Sequence, residues 1–330
     1  MKGVIREVVR PFAGVCAAMF VATHASIGQT RVPTRYIADR FYATPVTTQG
    51  DTLLLLVDTG GGGAWVIKPV LERLGIEPRF VGVQLGDSVY MGGKFPSFAA
   101  DATIPIPLGA PDTCITGFGN NATKRAMGGA VGILGHTWLA GRVWVFDYPR
   151  HHLSFYDVSP DPHPFGPHTI PMTLREPLWR NDPRIEVRID GDTIGVLLDT
   201  GGTSELSPEA VKATGGGPSM RASAFATARL WNKWHKTHPS WRVVRHGELT
   251  TNADLIQVPS VNIGGYDVGP VWFAKRSDRA YDGIMMLMMD QPILAAIGGN
   301  ALKTFRITMD YPNQRATFER RGAGVRVAQK

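Results

Sequence analysis

Cysteine is almost absent from this 330-residue chain, which has only Cys16 and Cys114. Two thiols cannot build a disulfide-dense scaffold or a four-cysteine zinc site. Charge is also sparse, because charged residues make up 19% of the chain, with 35 Lys and Arg against 28 Asp and Glu. Since 43% of the residues are hydrophobic, the chain can form packed cores, which excludes a disordered protein.

The N-terminal apolar run, residues 12–22, is shorter than the about 20 residues that span a bilayer. It follows the basic residues Lys2, Arg6 and Arg10 and precedes small residues. This layout predicts a signal peptide over 1–28 and an exported protein, periplasmic or secreted, with no stable membrane insertion after processing. An N-terminal membrane anchor is the alternative. The segment holds three basic residues and one acidic residue, so its removal lowers the net charge from +7 to +5, and the charge no longer requires an anionic partner.

The chain contains two copies of one sequence unit. Residues 46–61 read VTTQGDTLLLLVDTGG and residues 187–202 read VRIDGDTIGVLLDTGG, so a shift of 141 positions matches nine residues. A second pair of blocks, 133–149 and 296–312, shares a glycine, a leucine and the tripeptide D-Y-P. The repeats predict an N-terminal lobe over 29–158 and a C-terminal lobe over 184–330. The segment 159–183 between them has seven prolines and is predicted to be an extended linker.

Each unit is predicted to consist mainly of strands. Turn pairs at Gly50-Asp51 and Gly191-Asp192 separate runs rich in Val, Leu, Ile and Thr, which is typical of hairpins. Prolines predict helix starts near 69–74 and 208–213. The second unit has roughly 22 additional residues, and we place most of them in 215–241, where an amphipathic segment should pack its tryptophans inward.

The repeated D-T-G tripeptides place one carboxylate at the end of each apolar strand. A buried carboxylate is costly unless it is paired or used, so we expect Asp58 and Asp199 to meet between the lobes. Two carboxylates about 3 Å apart cannot both ionise and therefore share one proton. Such a pair can remove a proton from a water molecule that attacks a peptide carbonyl, while the protonated partner binds the carbonyl oxygen. This chemistry requires no metal and no cofactor.

The neighbours of each aspartate suit this arrangement. Gly60 and Gly201 allow the backbone to turn sharply beside the carboxylate, where a Cβ would obstruct the approach. Thr59 and Thr200 can use their hydroxyl groups to tie the two loops to each other. Two purely structural aspartates are the alternative, and catalysis is favoured because structural carboxylates seldom end two matching apolar strands.

These motifs resemble those of pepsin-like and retropepsin-like aspartic peptidases over roughly residues 36–320. The resemblance rests on both D-T-G tripeptides and on the apolar-apolar-Gly elements Ile133-Leu134-Gly135 and Ala296-Ile297-Gly298. It implies an all-β, bilobal pepsin-like aspartic protease fold with two pseudo-symmetric, β-barrel-like lobes and short helices. The D-Y-P turns and compact lobes are more similar to bacterial retropepsin-like domains than to secreted animal pepsins.

The resemblance also implies roles for individual residues. In the family an apolar-apolar-Gly strand threads the loop that carries the catalytic aspartate, which implies that role for Leu134, Gly135, Ile297 and Gly298. A substrate-covering hairpin, the flap, is expected with its tip in the Y-M-G-G sequence of Tyr90, Met91, Gly92 and Gly93. An ordinary strand tyrosine is an equal alternative for Tyr90.

One pair of positions departs from the family pattern. Pepsins usually have a hydroxyl residue three positions after each catalytic aspartate, whereas this chain has Gly61 and Gly202. Fewer hydrogen bonds to the charged form raise the pKa of a carboxyl group. We therefore expect a pH optimum less acid than that of pepsins.

The residues and the resemblance together predict an aspartic endopeptidase that cleaves peptide or protein substrates. The alternative is a catalytically weak relative that binds peptides or wall fragments. A monomer is expected because both D-T-G copies lie in one chain. His235 and His238 lack a third candidate ligand, so no metal site is predicted. Basic residues are scattered along the chain, so no nucleic acid partner is expected.

Overall fold

The computed structural model describes residues 28–77, 79–85, 88–99, 103–108, 115–117, 119, 124, 127–157, 166–175 and 182–320. The predicted signal segment up to residue 27 and both cysteines lie outside these residues. Among the helices of the described part, none is long and apolar enough to cross a bilayer.

Strands dominate the described residues, as the apolar runs and turn residues predict. They are β1 (Thr30–Val32), β2 (Thr34–Ile37), β3 (Arg40–Ala43), β4 (Leu55–Val57), β5 (Ala64–Val66), β6 (Arg79–Leu85), β7 (Ser88–Gly93), β8 (Ile115–Gly117), β9 (Gly132–Leu134), β10 (Val143–Asp147), β11 (His152–Tyr156), β12 (Thr169–Pro171), β13 (Arg184–Ile189), β14 (Asp192–Leu198), β15 (Thr203–Glu205), β16 (Met220–Ala222), β17 (Ala224–Thr227), β18 (Val243–Glu248), β19 (Ala253–Val258), β20 (Val261–Ile263), β21 (Tyr266–Val268), β22 (Val271–Arg276), β23 (Ala295–Ile297), β24 (Phe305–Asp310) and β25 (Arg315–Arg320).

The helices of the described part are short. They are α1 (Lys68–Arg73), α2 (His136–Leu139), α3 (Pro208–Ala213), α4 (Ala228–Thr237), α5 (Asp278–Ala280), α6 (Met286–Met288) and α7 (Gly299–Leu302). A 3₁₀ turn covers Tyr148–Arg150, and a π-helical turn covers Tyr281–Met285. The two helix starts predicted from proline are confirmed, because α1 and α3 have proline in their first turn.

Two large sheets form the two lobes. The first lobe has an eight-stranded sheet in the order β2-β3-β4-β9-β5-β8-β7-β6, and the second has a nine-stranded sheet in the order β18-β19-β22-β17-β23-β14-β13-β20-β21. The predicted all-β architecture with two lobes is therefore confirmed. The β-barrel-like part of the expectation is not, since within the described residues the end strands of each sheet do not pair and neither sheet closes into a barrel.

A six-stranded sheet joins the two lobes, in the order β1-β11-β10-β24-β25-β12. Its central pair is antiparallel, with β10 from the first unit beside β24 from the second. Trp144, Phe146, Ile307 and Met309 on these two strands are fully buried and belong to a hydrophobic core that contains residues of both lobes. The strand that ends the second sequence block in each unit therefore holds the lobes together.

The proline-rich segment between the lobes takes part in this sheet. Its residues Thr169–Pro171 form β12, which pairs with β25 at the edge of the sheet. Thr173 forms an isolated β-bridge with Arg184, the first residue of β13, which leads into the second lobe. The part of the segment that the structure describes is thus extended and paired with strands rather than free.

The hairpin turn of the second unit lies one residue earlier than predicted. Ile189 pairs with Asp192, so Asp190 and Gly191 are the two turn residues, both with positive φ. A two-residue turn with both φ values positive matches the twist of the flanking strands. The prediction of Gly191-Asp192 is therefore wrong by one position, because Asp190 also adopts the left-handed conformation.

The tryptophan-rich segment of the second lobe packs as predicted. Its helix, α4, begins after Thr227, whose hydroxyl accepts a hydrogen bond from the Leu230 N–H. Trp231 and Trp234 are 1% and 2% exposed and lie against the core. The apolar face of α4 therefore covers the nine-stranded sheet, which explains where the additional residues of the second unit are used.

Candidate active site

Two matching strand ends position Asp58 and Asp199. Asp58 follows β4, which pairs in parallel with β9, and its N–H donates to the Leu134 carbonyl at 3.1 Å. Asp199 follows β14, which pairs in parallel with β23, and its N–H donates to the Ile297 carbonyl at 3.0 Å. The same local structure thus holds both aspartates, and their side chains are only 8% and 9% exposed.

Glycines permit each threading strand to pass close to its loop. A Cβ on Gly135 would lie 2.0 Å from the Gly62 carbonyl oxygen, and a Cβ on Gly298 would lie 1.9 Å from the Ser223 carbonyl oxygen. No other residue has room at these two positions. Leu134-Gly135 therefore lies directly against the Asp58 loop. Ile297 contacts Asp199, and Gly298 lies against Ser223, whose N–H donates to the Gly202 carbonyl; these close approaches are the physical reason for the glycine in each apolar-apolar-Gly element.

Thr59 and Thr200 tie the two loops to each other across the lobes. The Thr59 N–H donates to Thr200 Oγ1 at 3.2 Å, and the Thr200 N–H donates to Thr59 Oγ1 at 3.0 Å. Each hydroxyl then donates across the interface, Thr200 to the Val57 carbonyl at 3.0 Å and Thr59 to the Leu198 carbonyl. Both threonines are fully buried, so water does not compete for these bonds.

The two carboxyl groups face each other where the loops meet. The Asp58 and Asp199 side chains lie close enough to each other that each influences the pKa of the other. Each also accepts from its own loop, Asp58 Oδ1 from the Gly60 N–H at 2.9 Å and Asp199 Oδ1 from the Gly201 N–H at 3.2 Å. The glycines make this approach possible, because a Cβ on Gly201 would lie 2.4 Å from Asp58 Oδ2 and a Cβ on Gly60 would lie 3.3 Å from Asp199 Oδ1.

Burial raises the pKa values of both carboxyl groups. It raises the pKa of Asp58 to about 6, although hydrogen bonds from Asp199 and from the Gly60 N–H lower it. Burial and the negative charge of Asp58 together raise the pKa of Asp199 well above its usual range. The two carboxyl groups interact, so they titrate as a coupled pair rather than as two independent acids.

Gly61 and Gly202 leave no space for the hydroxyl side chain found at these positions in pepsins. A Cβ on Gly61 would lie 2.8 Å from Asp58 Oδ2, and a Cβ on Gly202 would lie 2.8 Å from Asp199 Oδ2 and from the Ser223 carbonyl oxygen. The sequence indicates that a donor is missing at each site. The structure shows in addition that any side chain there would collide with the carboxyl group that it should support.

The candidate flap residues Tyr90, Gly92 and Gly93 lie in β7, which pairs with β6. Leu85 pairs with Ser88, so the turn of this hairpin falls between those two residues. The prediction that Tyr90 to Gly93 forms the tip is therefore wrong. The Tyr90 side chain lies outside the described residues.

A buried arginine that the sequence analysis did not single out links the first lobe to the Asp199 loop. Arg40, 2% exposed, donates to Thr203 Oγ1 at 2.8 Å and to the Met220 carbonyl at 3.3 Å. Thr203 Oγ1 in turn donates to the Gly201 carbonyl at 2.7 Å. The guanidinium therefore supports the loop of the opposite lobe. No periodicity marks such a residue, because all four positions of β3 are buried.

The part of the chain that the structure describes contains no candidate metal site. No set of three or more His, Cys, Asp or Glu side chains is arranged there to hold an ion. His238 instead contacts Asp190 through Nε2 at 2.5 Å and stacks on Trp241. The histidines of the tryptophan-rich segment thus have protein partners at the surface of the second lobe.

Neither a family model nor a curated protein sequence matches this chain. Solved structures that are similar include basic 7S globulin from soybean, with 10% identity, 88% of this chain and 95% of that chain covered, and a TM-score of 0.46. Conglutin gamma, a basic 7S globulin from lupine seeds, has 10% identity, coverages of 88% and 94%, and a TM-score of 0.46. An aspartic proteinase from Irpex lacteus has 12% identity, coverages of 89% and 97%, and a TM-score of 0.45. These values are too low to transfer an activity, so the chemistry of this chain must be argued from its own site.

Proposed function

We propose that this protein is an aspartic endopeptidase that hydrolyses peptide bonds with the dyad of Asp58 and Asp199. The observation that supports this proposal most is that two buried carboxyl groups on matching loops lie close together, each against the glycine of the opposite loop. A structural role alone does not require two costly carboxyl groups to be buried against each other. Two carboxyl groups that share one proton provide one base and one acid, which are the two roles that amide hydrolysis requires.

The proposed mechanism moves two protons. Asp58 removes a proton from a water molecule whose oxygen attacks the peptide carbonyl carbon, and Asp199 transfers its proton to the carbonyl oxygen. The resulting tetrahedral intermediate collapses when the carbon–nitrogen bond breaks. Asp58 then gives its proton to the leaving nitrogen, and Asp199 recovers its proton from a hydroxyl group of the intermediate. Each carboxyl group thereby returns to its starting state, and no cofactor takes part in the steps.

The proposed substrate is a peptide or protein chain in an extended conformation. Such a chain can add its backbone hydrogen bonds to an exposed strand edge, which is a common mode of peptide recognition. In this proposal the protein acts as an exported monomer, since one chain supplies both aspartates. The retained N-terminal anchor would instead hold the same active unit at a membrane surface.

Cleavage should be weak in strong acid. Asp58 must be ionised to act as the base, and burial raises its pKa to about 6. The acid limb of the kcat/KM profile should therefore have its midpoint near this value, and activity should persist up to the higher pKa of Asp199. A profile that peaks below about pH 3 would contradict the proposed roles of the two carboxyl groups.

The test is cleavage of a denatured protein mixture by the purified protein from about pH 3 to about pH 8. Asp58→Asn and Asp199→Asn should each abolish cleavage, because each removes one of the two proton-transfer groups. Asp51→Asn is the matched control, since Asp51 lies on an exposed turn of the same unit and pairs with the half-exposed Arg73. Cleavage that survives either dyad substitution would refute the proposal.

The second candidate function is peptide or wall-fragment binding with little cleavage. It is favoured by one observation, which is that Gly61 and Gly202 leave the outer carboxyl oxygens without a side-chain donor. The two functions differ in their response to a peptide whose scissile carbonyl is replaced by a tetrahedral, hydroxyl-bearing carbon. A peptidase should bind this analogue at least about 100-fold more tightly than the parent peptide, whereas a binding protein should not distinguish them.

A further inference from the structure

A histidine and an aspartate form a fully buried pair close to the dyad. His136 Nδ1 lies 2.7 Å from Asp182 Oδ1, and each side chain is only 1% exposed. Neither residue belongs to the D-T-G motifs, and 46 positions separate them in the chain. A pair without access to water requires good geometry to offset its desolvation, so its presence at this place calls for an explanation.

His136 belongs to the support of the Asp58 loop. It is the first residue of α2 and lies two positions after Leu134, the residue whose carbonyl accepts from the Asp58 N–H. The His136 N–H donates to the Gly62 carbonyl at 2.6 Å, at the far end of the same loop. Movement of His136 would therefore be transmitted to both ends of the turn that carries Asp58.

Asp182 belongs to the support of the Asp199 loop. Its N–H donates to the Met288 carbonyl at 3.3 Å, and the next residue, Pro183, accepts from the Leu198 N–H at 2.9 Å. Leu198 immediately precedes Asp199. The His136–Asp182 contact thus connects the backbone beneath one catalytic loop with the backbone beneath the other.

The second unit has no equivalent pair, and this breaks the symmetry of the site. The position that corresponds to His136 is Gly299, which follows Gly298 as His136 follows Gly135. A Cβ on Gly299 would lie 2.0 Å from the Asp39 carbonyl oxygen, so a backbone turn of the first lobe fills that space. One side of an otherwise matching arrangement therefore carries a histidine–aspartate pair, and the other side carries backbone.

We propose that the His136–Asp182 pair is a positioning device that joins the two aspartate-bearing loops and places a carboxylate beneath them. The proposal deepens the proposed peptidase function and rests on it. The charge of Asp182 contributes to the raised pKa of both Asp58 and Asp199, after burial as the largest cause. Two other groups lie near Asp182. Burial, and then the charge of Asp182, raise the pKa of Tyr311. His136 is the hydrogen-bonded partner of Asp182.

The first test is Asp182→Asn, which keeps the shape of the side chain and removes its charge. Loss of a nearby negative charge should lower the dyad pKa values, so the acid limb of the kcat/KM profile should move down by about half to one pH unit. Asp190→Asn is the matched control, because Asp190 also pairs with a histidine, His238, but is 39% exposed and remote from the two loops. The control should leave the profile unchanged.

The double variant His136→Asn with Asp182→Asn serves as a second test in case Asp182→Asn alone does not fold. Two amides can keep one hydrogen bond between the loops without a buried, unpaired charge, and replacing both members of a buried pair is tolerated better than removing one. It should show the same acid shift as Asp182→Asn. His136→Ala, which removes the link itself, should lower kcat by about tenfold or more with little change in KM.

An Asp182→Asn protein with an unchanged kcat/KM pH profile would overturn the proposal, whether or not its activity falls. The pH dependence of the thermal unfolding midpoint gives a readout that does not depend on cleavage. The decline in stability caused by ionisation of the dyad should end at a lower pH in Asp182→Asn than in the unmodified protein. If the unmodified protein does not cleave peptides, the proposed function fails, and this unfolding measurement still decides the positioning role.

Discussion

Replacement of Asp58 by asparagine should remove the activity and, near neutral pH, stabilise the fold. Burial raises the pKa of Asp58 from its ordinary 3.8 to about 6, so the folded protein holds this proton more tightly than the unfolded chain does. Ionisation of such a group costs folding free energy. The stability of the folded state therefore falls as the pH rises from the unfolded-state pKa to the folded-state pKa, and then stays low.

The size of the effect follows from the rise in pKa. At about 1.4 kcal/mol for each pH unit, a rise from 3.8 to about 6 corresponds to about 3 kcal/mol at pH 7. Asparagine is neutral and nearly isosteric, and its amide oxygen can keep the hydrogen bond from the Gly60 N–H. For a chain of 330 residues, about 3 kcal/mol raises the unfolding midpoint by about 4 to 5 °C.

The assay is thermal unfolding of the unmodified protein and of Asp58→Asn at about pH 4 and about pH 7. The gain should appear at the higher pH alone, because Asp58 is already neutral at the lower one. Asp192→Asn serves as the control, since Asp192 is half-exposed at a hairpin and its partner Lys233 is exposed as well. An Asp58→Asn protein that is less stable at both pH values, or that still cleaves peptides, would refute the reasoning.

Three further substitutions test the surroundings of the dyad. Gly61→Ala should lower kcat by about tenfold or more, because its Cβ would lie 2.8 Å from the Asp58 carboxyl group, whereas the control Gly63→Ala should have little effect, with its nearest contact at 3.7 Å. Thr200→Val should lower the free energy of unfolding in urea by about 2 to 4 kcal/mol, since two buried groups lose their partner. Trp234→Ala should cost about 3 to 5 kcal/mol of stability but leave kcat/KM of the folded protein unchanged, because the side chain packs in the core of the second lobe.

Local signals in the sequence were sufficient for the architecture. Two gap-free copies of one strand–turn–strand block predict two similar lobes, because the same residues at the same spacing form the same turns. Prolines marked the starts of α1 and α3, and the D-Y-P tripeptides marked turns closed by aspartate side chains, as Asp147 accepts from the Arg150 N–H. These local signals do not predict that Gly92 lies within the paired part of β6 and β7, because that depends on the register of the hairpin.

The candidate dyad could be named from sequence for a similar reason. A carboxylate at the end of an apolar strand is unusual, and its repetition at a matching position indicates that Asp58 and Asp199 belong together. The sequence also indicates that hydroxyl donors are missing at Gly61 and Gly202. It cannot indicate that a side chain has no room there, because that depends on the distance to a carboxyl group fixed by the fold.

The sequence by itself determined the two-unit plan, the strand ends that carry the aspartates and the glycines beside them. Only the tertiary structure decided which distant groups meet: His136 with Asp182, and Arg40 with the loop of the opposite lobe. It also decided that the pKa values of both carboxyl groups are raised, since a pKa depends on burial and on all nearby charges in space. Periodicity and motifs describe neighbours along the chain, whereas contacts between lobes and electrostatic interactions depend on distances that only the folded chain defines.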